Sequence, residues 1–262
     1  MSEDASEVHR AVMDGKLMTL TGILAEDPSQ ALLKDQDERT PLHWACSFQR
    51  VDMVKLLLNP SQVDNKAGNI SESTGLSSGS SNNVKPIKID IDDLQDASGW
   101  TPLHIAAAVG NLDIVKLLVE RDPAPDVNLQ TSTGQTCLHY AVSKGHYDVA
   151  CYLVRNCKAS ARIKDKKAQY PLHRAAAIGS IKLCQLLVTE ANAALNPKDI
   201  YSFTPLHHAM AEGHGDVAIY LVKCGADYHS EDSDGKTPLD VAVDSKVQAY
   251  FKRQLEQEGY DL

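Results

Sequence analysis

A six-residue string recurs along this chain, and its spacing limits the fold more than any other feature. TPLHWA begins at Thr40, TPLHIA at Thr101, TCLHYA at Thr136, YPLHRA at Tyr170, TPLHHA at Thr204 and TPLDVA at Thr237. The steps between starts are 61, 35, 34, 34 and 33 residues. A period near 33 marks a stack of similar supersecondary units. The first step exceeds one period by 28 residues, which locates an insertion. A degenerate earlier copy, EVHRAVMDGKL, aligns Ala11 with Ala45 at a step of 34. Without the insertion, the 262 residues make about seven units, the first and last atypical.

Each unit reads as two short helices. Thr before Pro starts a helix, because the hydroxyl caps a free N–H and Pro suits the first helical position. Small and apolar residues follow. Gly110, Gly145, Gly179 and Gly213 then end the helix. A second helix carries apolar residues at i, i+3 and i+4, as at Ile114, Leu117 and Leu118. A polar stretch of turn formers closes the unit. One such pair cannot bury its apolar face alone, so copies must stack, with polar caps at the ends. The expectation is an all-α repeat solenoid forming a single domain over 1–262, with capping repeats at 1–36 and 232–262.

Composition narrows the functional classes. The chain has 26 Lys+Arg against 35 Asp+Glu, a net charge of -9, and 5% aromatic residues. That argues against non-specific nucleic-acid or anionic-lipid binding and against a base-stacking surface. The opening MSEDASEVHR has no signal-peptide character, and no apolar run reaches the ~20 residues that span a bilayer. The six cysteines, Cys46, Cys137, Cys151, Cys157, Cys184 and Cys224, form no C-x-x-C pair and sit in or beside apolar runs, so they read as reduced, packed thiols. No phosphate-binding, zinc-protease or hydrolase motif occurs. The histidines of the repeat slot, His43, His104, His139, His173 and His207, lie a repeat apart, too far to share a metal. Asp90, Asp92 and Asp93 lack the Gly and terminal Glu of an EF-hand loop. No enzyme, metal or cofactor is expected.

The insertion, at about 59–95 in the second unit, centres on NISESTGLSSGSSNN and reads as a flexible loop open to serine phosphorylation. Charge is uneven. Residues 1–38 carry net -6, 131–164 net +4, 165–198 net +3 and 199–262 net -7. Two basic units therefore lie inside an acidic protein, a pattern suited to a protein partner of opposite pattern.

The T-P-L-H-x-A string at this step resembles the ankyrin repeat over nearly the whole chain. That implies helix pairs joined by β-hairpin-like fingers, with a histidine that hydrogen-bonds within and between repeats. DQDERTPLHWACS from Asp35, DASGWTPLHIAA from Asp96, CLHYAVSK from Cys137 and PLHRAAAIGSIKL from Pro171 are similar, more specifically, to the gankyrin group. These are seven-repeat chaperones of the proteasome regulatory particle. Gln36, Trp44, Trp100, Lys144 and Arg174 are shared without being demanded by the repeat. The L-x-C-x-E string of that group is missing, its place taken by LHHAMAEGH from Leu206.

The resemblance implies a non-catalytic chaperone, monomeric when free, in the cytoplasm and nucleus. Its partner would be the C-terminal helical domain of a regulatory-particle ATPase subunit, and holding that domain would delay docking on the core particle. The alternative is an ankyrin adaptor for a kinase, transcription factor or other signalling protein. The implied contact residues are Asp35, Asp37, Glu38, Arg39, Asp96, Trp100, Tyr170, Tyr201 and Phe203 at finger tips, and Trp44, Phe48, Tyr140, Lys144, Arg174, His208 and Glu212 on the exposed side of the first helices. Aromatics and Arg are the residue types that dominate interface energy.

Overall fold

A computed structural model describes residues 6–62 and 87–260. The Ser/Gly/Asn-rich centre of the insertion, and with it the expected loop, lies outside the described residues. The chain divides into two compact units, 1–126 and 127–262.

In the first unit, helices pair as α1 (Glu7–Met13) with α2 (Leu17–Glu26), α3 (Pro41–Ser47) with α4 (Val51–Leu58), and α5 (Pro102–Val109) with α6 (Leu112–Val119). The first helices form one row, α1 against α3 and α3 against α5. The second helices form another, α2 against α4 and α4 against α6. Val12, Leu20, Leu24, Leu42, Leu57, Ile114 and Leu118 fill the space between the rows. Fully burying each such side chain stabilises by about 1.5–3 kcal/mol. In α6 the buried pair beside Leu118 is Ile114 and Val115, and the expected Leu117 is half-buried.

In the second unit, α7 (Cys137–Ser143) pairs with α8 (Tyr147–Cys157). Next, α9 (Pro171–Ala177) pairs with α10 (Ile181–Gln185), which runs on into a π-helical turn, Leu186–Glu190. Then α11 (Pro205–Ala211) pairs with α12 (Gly215–Lys223), and α13 (Ser245–Gln257) ends the stack. In the last repeat the TPLD segment makes only turns. Phe251 and Leu255 of α13 are 1% exposed, so this helix closes the core by packing on α12.

The first helices begin as their sequence dictates. Pro occupies the first turn in α3, α5, α9 and α11. Gly110 takes a left-handed φ of 86° at the end of α5, a conformation that costs glycine little.

Within each unit the repeat histidine ties one repeat to the next. The backbone N–H of Thr40 donates to Nδ1 of His43 at 3.1 Å. The same pairing is 3.2 Å at Thr136–His139, 3.1 Å at Tyr170–His173 and 3.2 Å at Thr204–His207. With Nδ1 accepting, the ring proton sits on Nε2, which donates to a carbonyl one repeat on. His43 reaches Trp100, His139 reaches Gln169, His173 reaches Phe203 and His207 reaches Lys236, at 3.1–3.2 Å. His9 of the degenerate first copy does the same: Nδ1 lies 2.6 Å from Ser6 Oγ and Nε2 reaches the Arg39 carbonyl at 3.0 Å. Asp240 replaces the last histidine. Its carboxylate accepts from the Thr237 N–H and hydroxyl.

The insertion is not uniformly loop-like. Ile89, Ile91 and Leu94 are 2–6% exposed, so its C-terminal stretch packs into the first unit. The alternating apolar residues of IKIDIDDL account for this burial.

Candidate protein-binding fingers

Each repeat is preceded by a five-residue turn whose ends meet through one backbone hydrogen bond. In the first unit these are Asp35–Arg39 at 3.0 Å and Asp96–Trp100 at 2.9 Å. In the second they are Thr131–Gln135, Asp165–Gln169, Asp199–Phe203 and Asp232–Lys236, at 2.9–3.0 Å. Neighbouring tips are joined by backbone bonds: Ala97 N–H to the Asp37 carbonyl, Lys166 to Thr133, Ile200 to Lys167 and Ser233 to Tyr201. The fourth residue of every finger has a positive φ. It is Gly99, Gly134 and Gly235 in three fingers, and Glu38, Ala168 and Ser202 in the others.

An aspartate organises five of the six fingers. Asp35 Oδ1 accepts from the N–H groups of Asp37 and Arg39, both at 2.9 Å. Asp96, Asp165, Asp199 and Asp232 do the same for the residues two and four positions on. These bonds close an Asx-type turn that satisfies donors the finger would otherwise strand.

The second oxygen is claimed by the variable residue of T-P-L-H-x-A. Trp44 Nε1 donates to Asp35 Oδ2 at 2.7 Å. Arg174 Nη2 donates to Asp165 Oδ2 at 2.8 Å. His208 Nε2 lies 3.0 Å from Asp199 Oδ2, which also accepts from Gln169 Nε2 at 3.0 Å. Tyr140 Oη lies 3.2 Å from the hydroxyl of Thr131, which stands where the other fingers have Asp. In the repeat where this residue is Ile105, Asp96 Oδ2 is met instead by Arg39 Nε of the preceding finger, at 3.0 Å. Burial pushes the Asp35 carboxyl up, but the Trp44 N–H and the backbone N–H groups of Arg39 and Asp37 outweigh it and hold it below its ordinary value. At Asp199 burial is likewise outweighed by the donors from Gln169, His208 and the backbone.

This geometry revises several sequence expectations. Asp35 and Asp96 are the hubs of their turns, and Asp96 is 6% exposed. They are not free tips. Trp44, Tyr140, Arg174 and His208 lie on the expected helix face, yet each is anchored to its own finger. Arg39 bridges two fingers and also lies 5.5 Å from the Trp44 ring centroid. Asp37 and Glu38 do sit on the first tip, exposed, and Glu38 pairs with Lys34. Phe48 stacks on Trp44 at 6.0 Å and stays 45% exposed. Trp100, Tyr170 and Phe203 are half-buried, their rings set against His104, His173 and His207 at 6.3, 6.0 and 5.2 Å. Lys144, Tyr201 and Glu212 are exposed, Tyr201 at 59%. Sequence reasoning missed the finger aspartates Asp165, Asp199 and Asp232, although an Asp five residues before the first residue of the repeated string was visible in five copies. It also missed His9.

Burial drives His43, His139, His173 and His207 toward the neutral form, lowering His139 and His173 to about 4. Cys46, Cys137, Cys151 and Cys184 are buried, whereas Cys157 and Cys224 are half-exposed, contrary to full packing. Among the described residues no cluster of three or more His, Cys, Asp or Glu side chains could hold a metal ion. None of the described helices is long and apolar enough to cross a membrane. What the fingers provide chemically is a hydrogen-bonded backbone that displays aromatic and charged groups, of which Trp44, Tyr140, Arg174 and His208 are fixed by their own finger.

Helix pairs, histidine links and hydrogen-bonded fingers define an ankyrin-repeat protein. The ankyrin-repeats (3 copies) family profile matches residues 8–85, 76–165, 156–232 and 172–258, and the chain belongs to that family. It is 43% identical over 245 residues to a Saccharomyces cerevisiae protein described as probable 26S proteasome regulatory subunit p28, covering 93% of this chain and 96% of that one. It is 32% identical over 106 residues to the Dictyostelium discoideum 26S proteasome non-ATPase regulatory subunit 10, covering 40% of this chain and 34% of that one. The solved ankyrin repeat domain of Bcl-3 shares the fold with a TM-score of 0.71 at 21% identity, over 96% of this chain and 100% of that one.

Proposed function

We propose that this protein is a non-catalytic chaperone for assembly of the 26S proteasome regulatory particle. It holds the C-terminal helical domain of one ATPase subunit and sterically delays docking of the ATPase ring on the core particle. The observation that carries the reading is the 43% identity to the yeast regulatory subunit across 96% of that protein's length. The fingers give it a physical basis: their backbone turns are closed by hydrogen bonds before a partner arrives, so little backbone entropy is lost on association. The exposed groups Phe48, Lys144, Tyr201 and Glu212 make the contacts. The net charges of +7 over 131–198 and -7 over 199–262 orient the partner, which carries the opposite pattern. The protein acts as a monomer, in cytoplasm and nucleus.

The test is binding kinetics of the full chain against purified C-terminal domains of each regulatory-particle ATPase, at two salt concentrations. One domain should bind. Lys144→Glu should slow association and flatten its salt dependence, because a rim charge acts on encounter. Tyr201→Ala should chiefly speed dissociation, at a cost of about 2 kcal/mol for a buried anchor. Neither side chain holds a finger turn, so circular dichroism should be unchanged. If none of the ATPase domains binds while the fold is intact, the reading fails, and affinity capture with mass spectrometry would then seek a signalling partner.

A further inference from the structure

The base of the insertion, in the first unit, borders an open cavity of about 300 Å³. Its polar lining is Asn59, Ser61, Gln62, Lys88 and Arg121, with no carboxylate among the lining residues. The Ile87 N–H donates to Ser61 Oγ at 3.0 Å, which pins the two flanking segments together and leaves the Ser61 O–H proton available to a ligand. Arg121, just beyond α6, is half-buried, and burial pulls its guanidinium below its ordinary pKa. Four of the other seven arginines reach an oxygen, Arg39 at Asp96, Arg155 at Glu190, Arg162 at the Asn192 carbonyl and Arg174 at Asp165, and the remaining three, Arg10, Arg50 and Arg253, are exposed to water. Among the described residues, no hydrogen bond or ion pair meets Arg121. A guanidinium that has lost water without gaining an acceptor is unfavourable until an anion completes it.

The donors select the anion. Arg121 offers a planar fork, Lys88 a second positive charge, Ser61 a hydroxyl, and Asn59 and Gln62 an amide N–H₂ each. A carboxylate has two oxygens and would leave part of this set unmet. A phosphate monoester has three free oxygens and close to two negative charges, and its geometry matches the Arg fork. We propose that this cavity is a phosphate-monoester site, with Arg121 as the bidentate donor and Lys88 as the second charge. Two sources share this chemistry. One is a phosphoserine of the chain's own 71–81 stretch, which lies in sequence between the lining residues Gln62 and Lys88. The other is a free phosphate-bearing molecule.

The experiment is a calorimetric titration of the full chain with inorganic phosphate, at low ionic strength, for the wild type, Arg121→Gln and Lys88→Gln. Saturable one-site binding is expected in the wild type, weaker by about tenfold or more in Arg121→Gln and by less in Lys88→Gln, since Lys contributes only a point charge. The melting temperature should be the same in all three, because Arg121 has no acceptor to lose among the described residues. Equal binding by wild type and Arg121→Gln, or no saturation at millimolar phosphate, overturns the site. A semisynthetic chain carrying phosphoserine at Ser73 then separates the sources. If inorganic phosphate no longer binds, the tethered phosphate fills the site. Wild-type binding in that chain assigns the site to an external phosphate ester.

Discussion

Two fingers of the second unit make the same turn with different chemistry. At Asp199 a carboxylate with 5% residue exposure accepts the N–H groups of Tyr201 and Phe203 through one oxygen, and His208 and Gln169 through the other. At Thr131 a hydroxyl stands in that place. It lies near Thr133 Oγ1 and Tyr140 Oη and donates to the Gln135 carbonyl, so the turn leans on Gln130, whose amide donates to the Gly134 carbonyl at 2.6 Å. The carboxylate finger tolerates Ser202 at a φ of 61°, while the hydroxyl finger has Gly134 at 81°. Every finger with a non-glycine residue at the left-handed position is an aspartate finger. A charged acceptor thus holds a backbone conformation that costs an ordinary residue about 1–2 kcal/mol.

Acid should break this comparison most. The Nδ1 atoms of His139 and His173 accept backbone N–H groups, and burial lowers both to about 4. A histidine depressed in the folded state binds its proton first in the unfolded chain. Stability is therefore whole above pH ~6.5 and erodes as pH falls toward 4, by on the order of 3 kcal/mol for each ring. Asp199 is also depressed, so its contribution persists above its ordinary value near 3.8 and is lost only as pH falls further, while the Thr131 turn has no titrating hub. Urea midpoints measured from pH 7 to 4 should fall steadily, and a flat profile would refute neutral, buried histidines.

Asp199→Ala should come next, with a loss of about 3 kcal/mol, because it strands buried backbone and side-chain donors. Thr131→Ala should cost about 1 kcal/mol by the same measurement. Equal losses at the two sites would dissolve the distinction between the fingers. Gly134→Ala should cost about 2 kcal/mol. Its Cβ would lie 2.9 Å from the Lys166 backbone nitrogen, at a φ that alanine disfavours. A melting temperature within one degree of wild type would show that this approach is not tight. The smallest effect sharpens the comparison. Thr131→Asp should stabilise by about 0.5–1 kcal/mol, since a carboxylate there can accept the Thr133 and Gln135 N–H groups and the Tyr140 hydroxyl. A loss of stability would mean that the hydroxyl, not the carboxylate, suits this finger.

The repeat period, the helix pairs and the histidine slot were legible because each depends on neighbours close in sequence or on a strict spacing. The finger aspartates were equally regular and went unread, since Asp in a turn is common enough to pass as solubilising. The contact face was only half legible. T-P-L-H-x-A marks Trp44, Tyr140, Arg174 and His208 as variable positions, but not that the same atoms close the fingers. Nor could sequence separate Asp35 and Asp96 from the exposed Asp37 and Glu38, because all four are acids in polar turns.

Sequence alone therefore determined the family of fold, the approximate number of repeats and where the first helices of five repeats start, through local capping chemistry and a period that permits only stacking. Tertiary structure decided which polar groups are hubs and which are free. That distinction depends on whether an oxygen meets a donor from another element: Asp96 turns to Arg39 because Ile105 offers it no hydrogen. It also decided that Ile89, Ile91 and Leu94 leave the insertion for the core, and that Arg121 is half-buried with no acceptor within the described structure. The alternation in IKIDIDDL suits the first outcome, but the space that neighbouring helices leave decides both.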